Sequence, residues 1–130
     1  MKTLSSLFLV LLLSIPAAWA GAVDGKGIWC DRQSLSFGYW FHDGIFDYYG
    51  SDDKFRVYHR EIRSEIKEIG SDKLNIGSRF LNRKTLELSH YNQQIQCHLV
   101  KSRRQLKEIL QDIYDENKAE SEKAKSENKI

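Results

Sequence analysis

His42 and Asp47 lie five positions apart in FGYWFHDGIFDYYG, residues 37–50, a stretch in which seven of fourteen side chains are aromatic. An imidazole next to a carboxylate is the smallest set a hydrolase can use as a general base. The same pair beside Trp29, Trp40 and Tyr49 also makes an aromatic binding surface with polar handles. Either use requires that the side chains emerge on one face of the elements that carry them.

Asp43-Gly44 sets those faces. The dipeptide fits a type I′ turn, which wants positive φ at both central residues. Strands 35–42 and 45–50 then oppose His42 to Ile45, Phe41 to Phe46, Trp40 to Asp47, Tyr39 to Tyr48 and Gly38 to Tyr49. Opposed residues share a face. Phe37, Tyr39, Phe41, Phe46 and Tyr48 form one, with the residue mix of a core. Trp40, His42, Asp47 and Tyr49 form the other, where Gly38 leaves room for a ring over the backbone. A tight loop over 31–34 would set Cys30 opposite Leu35 and bring Trp29 to the Trp40 side. We therefore expect Trp29, Trp40, His42, Asp47 and Tyr49 to line a recognition site, unless the C-terminal helix or a long loop covers that face.

The remaining candidates are scattered. None of His42, His59, His90 and His98 sits at helical ligand spacing from another, and neither cysteine is expected free to join one, so no metal and no cofactor is expected. A turn at Asn92-Gln93 puts His98 opposite Glu87 on the outer face, a pair worth roughly a few tenths of a kcal/mol. Asp52-Asp53 reads as a loop, since paired catalytic carboxylates must face each other across a cleft. Arg83 sits in a turn and reads as exposed. No phosphate loop, zinc motif, nucleophile elbow or calcium loop occurs.

Lys2, the apolar run Leu4–Ile15, Pro16 and then Ala18-Trp19-Ala20 form the pattern of a secretory signal peptide, residues 1–20, cut after Ala20. The run falls short of the roughly 20 apolar residues that span a bilayer. A secreted or periplasmic protein is expected. Of 130 residues, removing 20 leaves 110, enough for one small domain. With 20 basic and 18 acidic residues the chain has no field for nucleic acid. Cys30 and Cys97 are the two cysteines, and export makes a disulfide between them the default. The turn at Asn92-Gln93 also faces Cys97 inward with Leu88, and sets Leu86 opposite Leu99.

Alternation and short polar breaks predict strands at 27–31, 35–42, 45–50, 54–63, 73–81, 85–90 and 94–100. Segment 61–69 carries both strand alternation and helical isoleucine spacing, and is read as a bulged strand with a helical turn as alternative. The fold class is all-β: an antiparallel meander or small barrel of about seven strands over 21–100, with a C-terminal amphipathic helix over 101–117. Ser102 and Gln105 fit a capping box, and Leu106, Ile109, Leu110, Ile113 and Tyr114 make one stripe. Docking of that stripe on the sheet is the favoured reading. Its polar face carries both charge signs, which argues against a membrane surface. Residues 118–130 read as a fraying helix end or disorder.

The run Asn82-Arg83-x-Thr85-Leu86-x-Leu88 before Cys97, with Trp29-Cys30 early, resembles small exported bacterial proteins of largely uncharacterised function. The likeness covers residues 27–100 and implies architecture, not chemistry. The architecture also looks like small periplasmic β-barrels such as lysozyme inhibitors, whose Ser-, Gly- and Tyr-rich inhibitory loop has no match here. The expected function is non-enzymatic binding of a small ligand or a protein partner. The alternatives are envelope interaction through the C-terminal helix and a small hydrolase using His42 and Asp47.

Overall fold

The computed structural model describes residues 23–32 and 35–128; the expected signal peptide lies outside them. Among the described residues nine strands precede one helix: β1 (Gly27–Asp31), β2 (Phe37–His42), β3 (Ile45–Ser51), β4 (Val57–Ile62), β5 (Lys67–Ile69), β6 (Lys73–Ile76), β7 (Arg79–Asn82), β8 (Glu87–His90), β9 (Gln93–Val100) and α1 (Arg103–Glu127). The strands form one sheet in the order β4-β3-β2-β1-β9-β8-β7-β6-β5, curled into a half-barrel. Each strand in the two meanders β1–β4 and β5–β9 pairs with its sequence neighbour, and β1 pairs with β9 where the meanders join. The expected all-β architecture with a C-terminal helix is what forms.

Seven expected strands become nine through two breaks. Gly77, at φ 64°, turns the run 73–81 back on itself with Ile76 opposite Arg79. Segment 61–69 is neither bulged strand nor helix: β4 ends at Ile62, residues 63–66 are irregular and β5 begins at Lys67. Those four residues alone link the sheet's two edge strands. Full extension covers no more than roughly 17 Å from Ile62 to Lys67, so the edges must lie near each other. The sheet therefore curls, with an open seam between β4 and β5.

The concave face holds the main core: Ile28, Cys30, Phe37, Tyr39, Phe41, Phe46, Leu74, Ile76, Leu81, Leu88, Ile95 and Cys97 are all buried. Cys30 and Cys97 oppose each other across β1–β9 and are bonded, with Cα atoms 4.0 Å apart. The convex face carries a second core under α1, built from Tyr49, Val100, Leu106, Leu110 and Tyr114. Among the described residues no helix is long and apolar enough to cross a membrane.

Candidate functional site

Asp43 and Gly44 take φ of 52° and 73°, and the five pairs of the β2–β3 hairpin follow in the expected register. Trp40, His42, Asp47 and Tyr49 thus share the convex face. Trp29 joins them, but by a different register: Cys30 opposes Phe37, not Leu35, and Trp29 opposes Gly38. The β1–β2 connection is two residues longer than expected; Leu35 falls in it and is exposed. The face survives because a slip of two residues preserves the side on which side chains emerge.

Helix α1 docks on this face. Ser102 Oγ accepts from Gln105 N at 3.0 Å, as a capping serine does. The Gln105 side chain reaches one residue further back than the ideal box and accepts from Lys101 N. Leu106 lies over Gly38, where a Cβ would stand 2.5 Å from its Cδ1. The space left by that glycine is thus filled from within the chain. Further along, Gln111 accepts from Val57 N at 3.1 Å and donates to Phe55 O at 3.0 Å, and Tyr114 donates to Ser36 O.

One residue that the strand pattern did not point to completes the polar centre. Arg103, in the first turn of α1, donates through Nη1 to Asp47 Oδ2 and, at 3.1 Å, to the Tyr49 hydroxyl. Its guanidinium carbon lies 5.7 Å from the Trp40 ring centroid, within cation–π range. Asp47 is 4% exposed and Tyr49 1%; Trp29, Trp40 and His42 are half-buried. The five expected residues do share a face, and that face seats the helix.

His42 Nε2 lies 3.0 Å from Asp47 Oδ1 and Nδ1 3.2 Å from Asp43 Oδ2. Both ring nitrogens face carboxylates, so neither is left to accept a substrate proton. The bond to Asp47 raises the His42 pKa above its ordinary value, outweighing burial. Burial pushes Asp47 upward, but the bonds from His42 and Arg103 win and hold its carboxyl below the usual range. The cluster is a clamp: Asp47 is held between the Arg103 guanidinium and the His42 ring, whose protonated form the carboxylate favours. His42, Asp47 and Glu61 also bring ligand atoms within 4.8 Å of one another. Asp47 accepts from Arg103 and lies beside His42, and Glu61 accepts from Arg63 at 3.0 Å, so each of the three groups already has a partner within the chain.

This clamp has a testable pH signature. A group whose pKa is raised by folding stabilises the fold fully below its unfolded pKa, and loses that contribution as pH rises through the folded value. His42 starts from 6.5. Its contribution should therefore be intact at pH 6 and fall away above about pH 6.5. His90, whose pKa burial lowers, acts in the opposite sense, so the comparison with His42→Gln isolates the clamp. Melting temperature against pH should decline less steeply in that variant on the alkaline side of 6.5. Parallel profiles from pH 6 to 9 would refute the clamp.

The other sequence candidates have local roles. His98 pairs with Trp29, not Glu87, and stacks on it at 4.5 Å between ring centroids. The cause is a β8–β9 turn centred on Tyr91-Asn92, with Tyr91 at φ 53°, so Glu87 opposes Gln96 and Leu88 opposes Ile95. His59 stacks on Tyr49 at 5.4 Å. Asp52 organises its loop by accepting from Lys54 N and Arg56 N. Arg83 pairs with Glu68 at 3.4 Å.

Other cavities lie elsewhere among the described residues. One, about 540 Å³, is walled by Val23, Ile28, Phe41, Leu86, Leu99 and Val100, and rimmed by Lys26, Arg83, Lys84 and Lys101. Leu86 and Leu99, expected to oppose each other in register, do not pair but meet in this wall. Leu99 is 65% exposed. Arg83 and Lys84 have partners in Glu68 and Asp72; Lys26 and Lys101 have no carboxylate partner among the described residues. Another, about 390 Å³, lies beside the seam, between β4 and the β6–β7 turn, next to Tyr48 and Arg79. Comparison with family models, curated proteins and solved structures finds no significant match to this chain.

Proposed function

We propose that this is an exported, non-enzymatic binding protein that takes a small ligand with an apolar body and an anionic head. The observation that carries the reading is the 540 Å³ cavity, apolar in its walls, with four cations and no acid among its lining residues. That volume and mix suit a small-molecule site. An alkyl body would cover Leu99 and Leu86, and the head would meet Lys26 and Lys101, whose ammonium groups have no carboxylate partner among the described residues. The signal-peptide pattern and the Cys30–Cys97 bond support export. The convex aromatic face, with Tyr49 and Asp47 under α1, supports a structural use for most of the expected recognition residues.

Titration calorimetry of the purified protein with decanoate, decanol and acetate tests this. Decanoate should bind saturably, decanol more weakly by about tenfold, worth about 1.4 kcal/mol, and acetate not at all. Lys26→Glu with Lys101→Glu should weaken decanoate at least as much and leave the melting temperature nearly unchanged. No saturable decanoate binding at millimolar concentration would reject the reading. The distal part of α1, which has no buried residue beyond Tyr114, favours envelope interaction as second reading. A chain ending at Asn117 keeps ligand binding on the first reading and loses partner capture on the second.

A further inference from the structure

The sheet's register turns two arginines toward its concave side. Arg60 opposes Tyr48 across β3–β4, and Arg79 opposes the buried Ile76 across β6–β7. Both line the seam cleft of about 390 Å³, with Tyr39, Tyr48, Gly77 and Ser78. Neither has a carboxylate partner among the described residues, whose other ion pairs account for Arg56, Arg63, Arg83, Arg103 and Arg104.

Arg79 is half-buried. Its guanidinium carbon lies 5.0 Å from the Phe37 ring centroid, and Nη1 donates to the hydroxyl of buried Tyr39. That uses one of five donors. A guanidinium taken partly out of water beside aromatic rings, with no counter-charge, carries a desolvation cost that an anion would offset. Arg60 adds a second positive charge to the same cleft. Tyr48 lines the same cleft; burial raises its pKa, and the positive charges of Arg79 and Arg60 oppose that rise. The Tyr48 ring, which lines the cleft, offers aromatic surface for a flat body.

We propose that the seam cleft binds a phosphate monoester carried on a ring-shaped body. Two guanidiniums match the two charges of the phosphate, and the planar fork of each can hold a pair of its oxygens. The Ser78 hydroxyl at the β6–β7 turn lines the same cleft. This site is separate from the lysine-rimmed cavity, shares no lining residue with it and does not depend on the reading of that cavity.

The test is titration of the purified protein with phenyl phosphate, alongside phenyl sulfate and benzyl alcohol. Phenyl phosphate should bind saturably and weaken as salt rises. Phenyl sulfate, with one charge, should bind at least tenfold more weakly, and benzyl alcohol not detectably. Arg60→Gln, at an exposed position, and Arg79→Lys, which keeps the charge and loses the fork, should each weaken phenyl phosphate by tenfold or more. Lys101→Glu should leave it unchanged. Should Arg79→Lys fail to fold, Arg60→Gln decides alone. The proposal is overturned by absent saturable binding, by equal binding of phenyl sulfate, by binding indifferent to the arginine variants, or by a comparable loss in Lys101→Glu, which would place the ligand in the other cavity.

Discussion

Replacing Cys30 and Cys97 together by alanine should lower stability by about 4 kcal/mol. The bond closes a loop with a sequence separation of 67, and the chain-entropy relation assigns a loop of that length about 4 kcal/mol at room temperature. Its place in the sheet gives the loss a structural meaning. Each meander is built from pairs of sequential strands, and β1–β9 is the junction between them. The bond pins that long-range pairing, whose closure entropy is otherwise recovered only when the core forms. Both sulfur-bearing residues are buried, at 0% and 1% exposure, so alanine leaves no exposed defect to confuse the comparison. Guanidinium unfolding should show a shifted midpoint. A change below about 1 kcal/mol would mean that the curled sheet already restrains the unfolded chain.

The second large effect lies under the helix. Leu110→Ala should cost about 2–5 kcal/mol, the range for truncating a leucine that cannot be refilled from solvent. Leu110 is fully buried within the cluster of Tyr49, Val100, Leu106 and Tyr114. By contrast, ending the chain at Asn117 should change the melting temperature little. Helix α1 continues through Glu127, but its last buried residue is Tyr114. Residues past that point add helix without burying apolar surface, and helix propensity alone contributes little. Thermal unfolding of the two variants separates the cases. A truncation as costly as Leu110→Ala would show that the distal helix carries more of the fold than its burial implies.

The sequence revealed faces better than partners. The Asp43-Gly44 turn fixed its hairpin register completely, because two positive-φ positions leave one short loop geometry. At β1–β2 and β8–β9 the opposed pairs were two residues out while Cys30, Trp29, Leu88 and Cys97 kept their expected faces, and Leu35, expected on the core face, is exposed in the β1–β2 connection. At β8–β9 the turn uses Tyr91 at positive φ, and a bulky aromatic gives no warning of that conformation. Gly77-Ser78 was a readable turn signal that the alternation of 73–81 concealed. The helix stripe announced that something apolar would be covered. That Arg103 would clamp Asp47 across 56 positions was not legible, because no local period encodes a contact between a helix and a sheet it has yet to meet. The lysine-rimmed cavity and the seam cleft were hidden for the same reason: Lys26 comes beside Lys101 only once β1 pairs with β9, and Arg60 and Arg79 come to one cleft only once the sheet has curled.

The most direct measurement is an NMR titration of the isotope-labelled protein with decanoate, following backbone amides and the tryptophan indoles together. The cavity reading predicts the largest saturable shifts at Val23, Lys26, Leu86, Leu99 and Lys101, around the apolar wall and its rim, with the Trp29 indole and the His42 ring nearly unmoved. Saturable shifts centred on Trp29, Trp40 and His42, with the cavity amides unmoved, would contradict it and return recognition to the convex aromatic face.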